Sequence, residues 1–114
     1  MTWRIAPIDQ DPDKTLDAWM VMEVPFDGAE RPWTRHFVGF RLEGCKGQVS
    51  SPVEVFDPVH RRAVTRTGQV YELGGLPGVN GAAFATWGRW KVLNRIVHER
   101  DITGEVAEDL GHVY

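Results

Sequence analysis

The apolar positions of this chain change period once, near Leu73. Before it they recur in twos, the spacing of a half-buried strand. "LDAWMVMEV" (Leu16–Val24) sets Ala18, Met20, Met22 and Val24 on one side and Trp19, Val21 and Glu23 on the other. Both sides are too apolar for a surface strand, so a central one is predicted. The alternative is a helix, which Pro25 limits to a turn or two. "WTRHFVGFRL" (Trp33–Leu42) alternates His36, Val38, Phe40 and Leu42 against Arg35, Phe37, Gly39 and Arg41. "QVSSPVEVF" (Gln48–Phe56) reads as one strand with Val49, Ser51, Val53 and Val55 on a face, and "AVTRT" and "QVYEL" read as two short strands around Thr67-Gly68. "WRIAPI" (Trp3–Ile8) suits a short edge strand, since Pro7 offers no N–H to a ladder. Between these runs lie turn-forming stretches: "DQDPDK", "PFDGAERP", "EGCKG" and "DPVHRR".

After Leu73, "GGLPGVNG" ends the alternation and Asn80 is placed to cap a helix. Ala83, Trp87, Trp90 and Asn94 then fall at helical spacing, predicting a helix over Gly81–Ile96. Gly88 weakens it by about 1 kcal/mol relative to Ala. A strand over "FATWGRWKVL" is the competing reading. The tail "DITGEVAEDLGHVY" suits a short strand or helical turn with a frayed end. The expected fold is α+β: an antiparallel meander of about five or six strands, with one helix from the C-terminal half packed on one face through Trp87 and Trp90. At 114 residues the whole chain, 1–114, is expected to form one domain.

Charge sharpens this picture. Residues 1–30 carry seven acidic and two basic groups, residues 31–98 four acidic and ten basic, and residues 99–114 five acidic and one basic. The net charge of −3 therefore hides an acidic–basic–acidic chain. Either the acidic ends fold beside the basic middle, or the surface is two-toned and steers a charged partner. The single cysteine, Cys45, excludes a disulfide scaffold and suits a reducing compartment. The N-terminus shows no basic-then-apolar leader, and no apolar run reaches membrane-spanning length. A cytoplasmic protein that does not enter a membrane is expected.

Candidate chemistry is sparse. Gly74, Gly75, Gly78 and Gly81 precede the helix as a phosphate cradle would, but they match neither phosphate-binding glycine signature, and Pro77 removes a donor. A connector is the better reading. A small-ligand or enzyme site at this turn, with His60, Arg61 and Arg62, is the alternative. Cys45 has no histidine in a recognisable relation to it. Asp9-x-Asp11-x-Asp13 starts like a calcium loop but has Lys14 and Met20 where the loop's Gly and Glu belong. No zinc spacing and no nucleophile elbow occurs, so no catalytic residue, metal or cofactor is expected. Arg61, Arg62, Arg66, Arg89, Lys91 and Arg95 beside Trp87 and Trp90 would suit single-stranded nucleic acid. The sequence pI near 5.8 disfavours that reading.

The run "SSPVEVFDPVHRRAVTRTGQVYELGGLPG" (Ser50–Gly78), with the "WGRW" that follows, resembles a pattern of small bacterial and prophage-borne proteins. The resemblance spans about a quarter of the chain. It implies a family with no assigned reaction, often near mobile elements, and lends no active-site residue. The function expected is a non-enzymatic protein-binding protein, of anti-defence inhibitor or immunity type. Its contact residues would be the acidic Asp9, Asp11, Asp13, Asp17, Glu105, Glu108 and Asp109, with Trp87, Arg89 and Trp90.

Overall fold

The structure, a computed structural model, describes residues 3–111. His112 and the end of the tail, expected to fray, lie outside the described residues. In chain order the elements are β1 (Arg4–Ile5), β2 (Lys14–Val24), β3 (Thr34–Arg41), β4 (Lys46–Val49), β5 (Val53–Asp57), β6 (Arg62–Thr65), β7 (Val70–Leu73), α1 (Gly81–Leu93), β8 (Arg100–Asp101) and α2 (Thr103–Asp109). The fold is α+β, as the pattern predicts. Among the described residues, however, the sheet has eight strands rather than five or six, and there are two helices rather than one. It is also mixed. Strand order is β1-β5-β6-β7-β2-β3-β4 with β8 beside β2, and β1–β5 and β2–β7 are parallel pairs.

The expected strand Gln48–Phe56 is two strands. Ser50 and Pro52 separate them: the Ser50 N–H donates to Phe37 O, and its hydroxyl accepts from Phe37 N and donates to Ser51 O. Pro52 has no N–H to continue the ladder. The chain therefore leaves β4 at one end of the sheet and re-enters as β5 near the other.

β2 is the long central strand that its two apolar sides predict. A bulge between Asp17 and Met20 breaks its register with β3, and Ala18 sits there at φ 44°. The extra residue reverses the alternation. Leu16 thus shares a face with Trp19 and Val21, while Met20, Met22 and Val24 point the other way. Gly39 lies opposite; a Cβ there would stand 3.1 Å from Leu16 Cβ and 3.2 Å from Trp19 Cβ.

Two cores follow, one per face. The larger gathers Trp3, Leu16, Trp19, Val21, Phe37, Phe56 and Tyr71 against Ile102, Val106 and Ala107 of the tail. Phe37 on β3 meets Phe56 on β5 at 6.1 Å and Tyr71 on β7 at 6.3 Å, so the sheet curls around this core. The second core lies beneath α1, where Ala83 and Trp87 cover Met20, Met22, Val24 and Val38.

Asn80 caps α1 as predicted, its Oδ1 accepting from Ala83 N at 3.0 Å. The helix ends at Leu93, short of Ile96. Arg95 turns left-handed at φ 57°, with Arg95 N donating to Val92 O and Ile96 N to Lys91 O. That is a Schellman closure with an arginine where glycine is usual, which is why composition did not signal it. The glycine link before α1 runs alongside β2: Gly74 N donates to Leu16 O, Gly78 N to Trp19 O, and Pro77 bridges Trp19.

α1 rests on β4 at Gly47, where a Cβ would lie 2.5 Å from both Ala82 O and Thr86 Oγ1. Gly47→Ala must lift the helix off the strand. A loss of roughly 1–3 kcal/mol in a urea titration is expected, with the summed tryptophan emission of the folded protein shifting toward that of a wetter environment. An unchanged midpoint would show that α1 does not bear on β4 there.

Candidate functional site

α1 is apolar on both sides. Its inner side carries Ala83, Trp87 and Trp90; its outer side carries Phe84, Ala85, Gly88 and Val92, with Leu93 at the flank. A surface helix ordinarily turns polar side chains outward. Here Phe84 is 57 % exposed, Val92 78 % and Leu93 82 %. Leu76 and Val79 just before the helix, and Val97 just after it, are equally open. Among the described residues, nine large apolar side chains are exposed, and six belong to this one segment.

Two depressions flank this face. One, of about 350 Å³, is lined by Gly88, Arg89, Val92 and Leu93. The other is a groove of about 620 Å³ between α1 and β4, floored by Gly47 and Gln48 and walled by Ala82, Ala85, Thr86 and Arg89. The small residues on α1 keep both shallow and open. The charges around the face are mostly positive. Lys46, Arg89 and Arg95 are exposed and make no ion pair among the described residues; Arg89 donates to Thr86 Oγ1 at 3.2 Å. Lys91 is bonded to Glu99, which also accepts from Trp87 Nε1 at 3.2 Å.

Under the face lies an aromatic stack. Trp90, half-buried, stacks on Trp87 at 5.1 Å and on Phe26 at 5.5 Å, with His36 beneath at 4.8 Å. His36 is fully buried. Its Nδ1 lies 2.8 Å from Ser50 O and its Nε2 2.6 Å from Thr34 Oγ1. A carbonyl only accepts, so Nδ1 carries the proton and Nε2 accepts from the threonine hydroxyl. Burial pulls the imidazole down to about 4, against the bond to Ser50 that favours its protonation. The ring is a neutral, satisfied strut.

Of the residues singled out in the sequence, Arg89 and Trp90 line the groove, whereas Trp87, 1 % exposed, is core. Asp9, Asp11, Glu105, Glu108 and Asp109 are exposed and make no ion pair among the described residues. Asp13 and Asp17 are exposed too, but each accepts from a backbone amide, Val70 N at 2.9 Å and Ala18 N at 3.0 Å. The expected folding of acidic ends beside the basic middle is visible at Glu23. Burial pushes this carboxyl up, and bonds from Arg35 and Arg100 outweigh it and hold it below the usual range. Arg66 likewise pairs with Asp27 and Glu54, and Arg62 with Glu72. Those arginines are already engaged and do not extend a free basic patch from Arg89.

The glycine turn does not form a cradle, since Gly74 and Gly78 spend their N–H groups on β2. Beside it, His60 Nδ1 contacts Asp57 Oδ2 at 2.6 Å, and Asp57 also accepts from Ile8, Val59 and His60 amides. That carboxylate fastens the turn to the N-terminal segment. No cluster of His, Cys, Asp and Glu able to hold a metal occurs among the described residues. Nor is any helix there long and apolar enough to cross a membrane. The exposed side of α1 is what the sequence reading missed. The signal was present: Phe84, Ala85, Gly88 and Val92 give the predicted helix a second apolar stripe. Comparison of the chain with family models, curated proteins and solved structures gives no match.

The buried imidazole gives stability a defined pH dependence. Between pH 6.5 and about 4 the unfolded chain binds a proton at His36 that the folded chain refuses. Stability is therefore full above pH 6.5 and falls on acidification through this window, by roughly 3 kcal/mol. Urea midpoints measured from pH 7 to pH 5 are expected to show the fall, and His36→Gln to flatten it. Parallel curves for the two proteins would rule out the neutral strut.

Proposed function

We propose that this protein works by binding another protein, through the outer face of α1. The observation that supports this reading is the exposure of Phe84 and Val92 on a helix whose other side already fills a core, with Leu93 open further round. In the monomer Ala83 and Trp87 are covered, whereas Phe84 and Val92 stand open beside the exposed Arg89. The depressions at Gly88 and along β4 favour a partner with side chains to insert. The free cations Lys46, Arg89 and Arg95 supply a polar rim. This differs from the acidic surface favoured by the sequence, although the free carboxylates of Asp9, Asp11, Glu105, Glu108 and Asp109 remain available for long-range steering. A binding role without chemistry suits an inhibitor or immunity-type protein of bacterial or phage origin, acting in the cytoplasm by masking its target.

Phe84→Asp and Val92→Asp are expected to stay within about 0.5 kcal/mol of the parent in stability, because both side chains face solvent. The test is affinity capture from the native host with parent, each variant, and a control in which Glu105, Glu108 and Asp109 become Ala. A partner held by the parent and the control but lost by both α1 variants supports the reading. The same partner retained by the α1 variants rejects it.

A further inference from the structure

Among the described residues β4 ends the sheet, pairing with β3 alone. Ser50 N donates to Phe37 O, and Gly39 and Arg41 stand opposite Gln48 and Lys46. In an antiparallel ladder this alternation turns the peptide groups of Gly47 and Val49 away from β3. Val49 O receives the Gln48 side chain at 3.1 Å. The N–H and C=O of Gly47 and the N–H of Val49 have no partner among the described residues. These groups open onto the 620 Å³ groove, which follows β4 from Cys45 to Val49 with α1 as its opposite wall. Lys46 and Arg89 stand at the groove with no ion pair. Arg41 is drawn back to Glu43 O and to Gln48 Oε1, and the Glu43 carboxylate is turned to Thr15 N.

We propose that this groove takes an extended, acidic segment of the partner protein, added to the sheet beside β4. Main-chain bonds to Gly47 and Val49 would set its register, and an acidic side chain would reach Arg89 and Lys46. Strand addition uses backbone for affinity and alternate side chains for selectivity. Charge selects the occupant. A second copy of this chain paired through the same edge would crowd Lys46 and Arg89 of both copies with no acid between them, and a membrane surface has no peptide groups to pair. The proposal rests on reading α1 as a docking face and specifies what lies against its β4 side.

The test uses the full chain, labelled for amide NMR, with three probes. These are the capped peptide Thr-Val-Glu-Val-Glu-Val, its counterpart with Lys for Glu, and the acidic peptide N-methylated at alternate amides. The acidic peptide is expected to shift the Gly47 and Val49 amides and slow their exchange, and to bind at least roughly tenfold tighter than the lysine peptide. N-methylation along the pairing edge should abolish this. Arg89→Glu, on an exposed side chain, should weaken the acidic peptide by about tenfold and favour the lysine peptide. Three results overturn the proposal: silent β4 amides up to millimolar peptide, equal affinity for both charges, or amide protection that grows with protein concentration alone. If β4 is silent while the Phe84→Asp variant still loses the native partner, strand addition fails and the docking face stands. If the peptide binds while that variant keeps its partner, the larger docking face fails and the groove alone remains.

Discussion

The bulge at Asp17–Trp19 governs how the rest of the molecule is arranged. By holding Ala18 at φ 44° it adds one residue to β2 and exchanges the two faces of the strand midway. Leu16 and Trp19 can then share the larger core, while Met20 and Met22 floor the core under α1. A strand without the extra residue would drive Leu16 into the wrong layer. The same irregularity divides the flank of β2 opposite β3. Lys14–Leu16 pair with β7, Trp19 with Pro77, and Met22–Glu23 with β8. The glycine link is therefore an irregular continuation of the sheet past the bulge. Gly74 lets the link approach the Leu16 carbonyl, Gly75 turns it at φ 58°, and its direction delivers Asn80 to the start of α1.

Much of this was legible from alternation. The strands at Leu16–Val24 and Trp33–Leu42, the Asn80 cap, the connector role of the glycines and the inward Trp87 all follow from spacing and turn chemistry. What did not follow has common physical causes. Parallel pairing of β1 with β5 and of β2 with β7 joins segments far apart in sequence, which local periodicity cannot report. The break at Ser50-Ser51-Pro52 rests on a serine hydroxyl meeting Phe37 N across the sheet. The end of α1 rests on an arginine in a left-handed conformation. The exposed side of α1 was half legible: the tryptophans mark the side of the helix that is buried, whereas Phe84, Gly88 and Val92 form a weaker stripe on the open side.

α1 must satisfy two surfaces at once. Trp87 and Trp90 give its inner side large aromatic area and stack over Phe26 and His36, while Gly47 lets its backbone descend onto β4. Packing this close fixes the helix without needing its outer residues. Those are then free to be apolar in the monomer at little cost to the fold, which is the freedom that a docking surface requires.

The C-terminal strand, only two residues long, has a consequence for the order of events as the chain is made. Until Arg100 and Asp101 exist, Met22 and Glu23 lack their neighbour on that side, and the carboxylate of Glu23 lacks one of its two guanidinium partners. A nascent chain that has completed β7 and α1 would still present an open strand edge of the kind that recruits other chains. β8, anchored by Ile102 N donating to Val21 O and by α2 behind it, is the element that covers that edge in the finished fold.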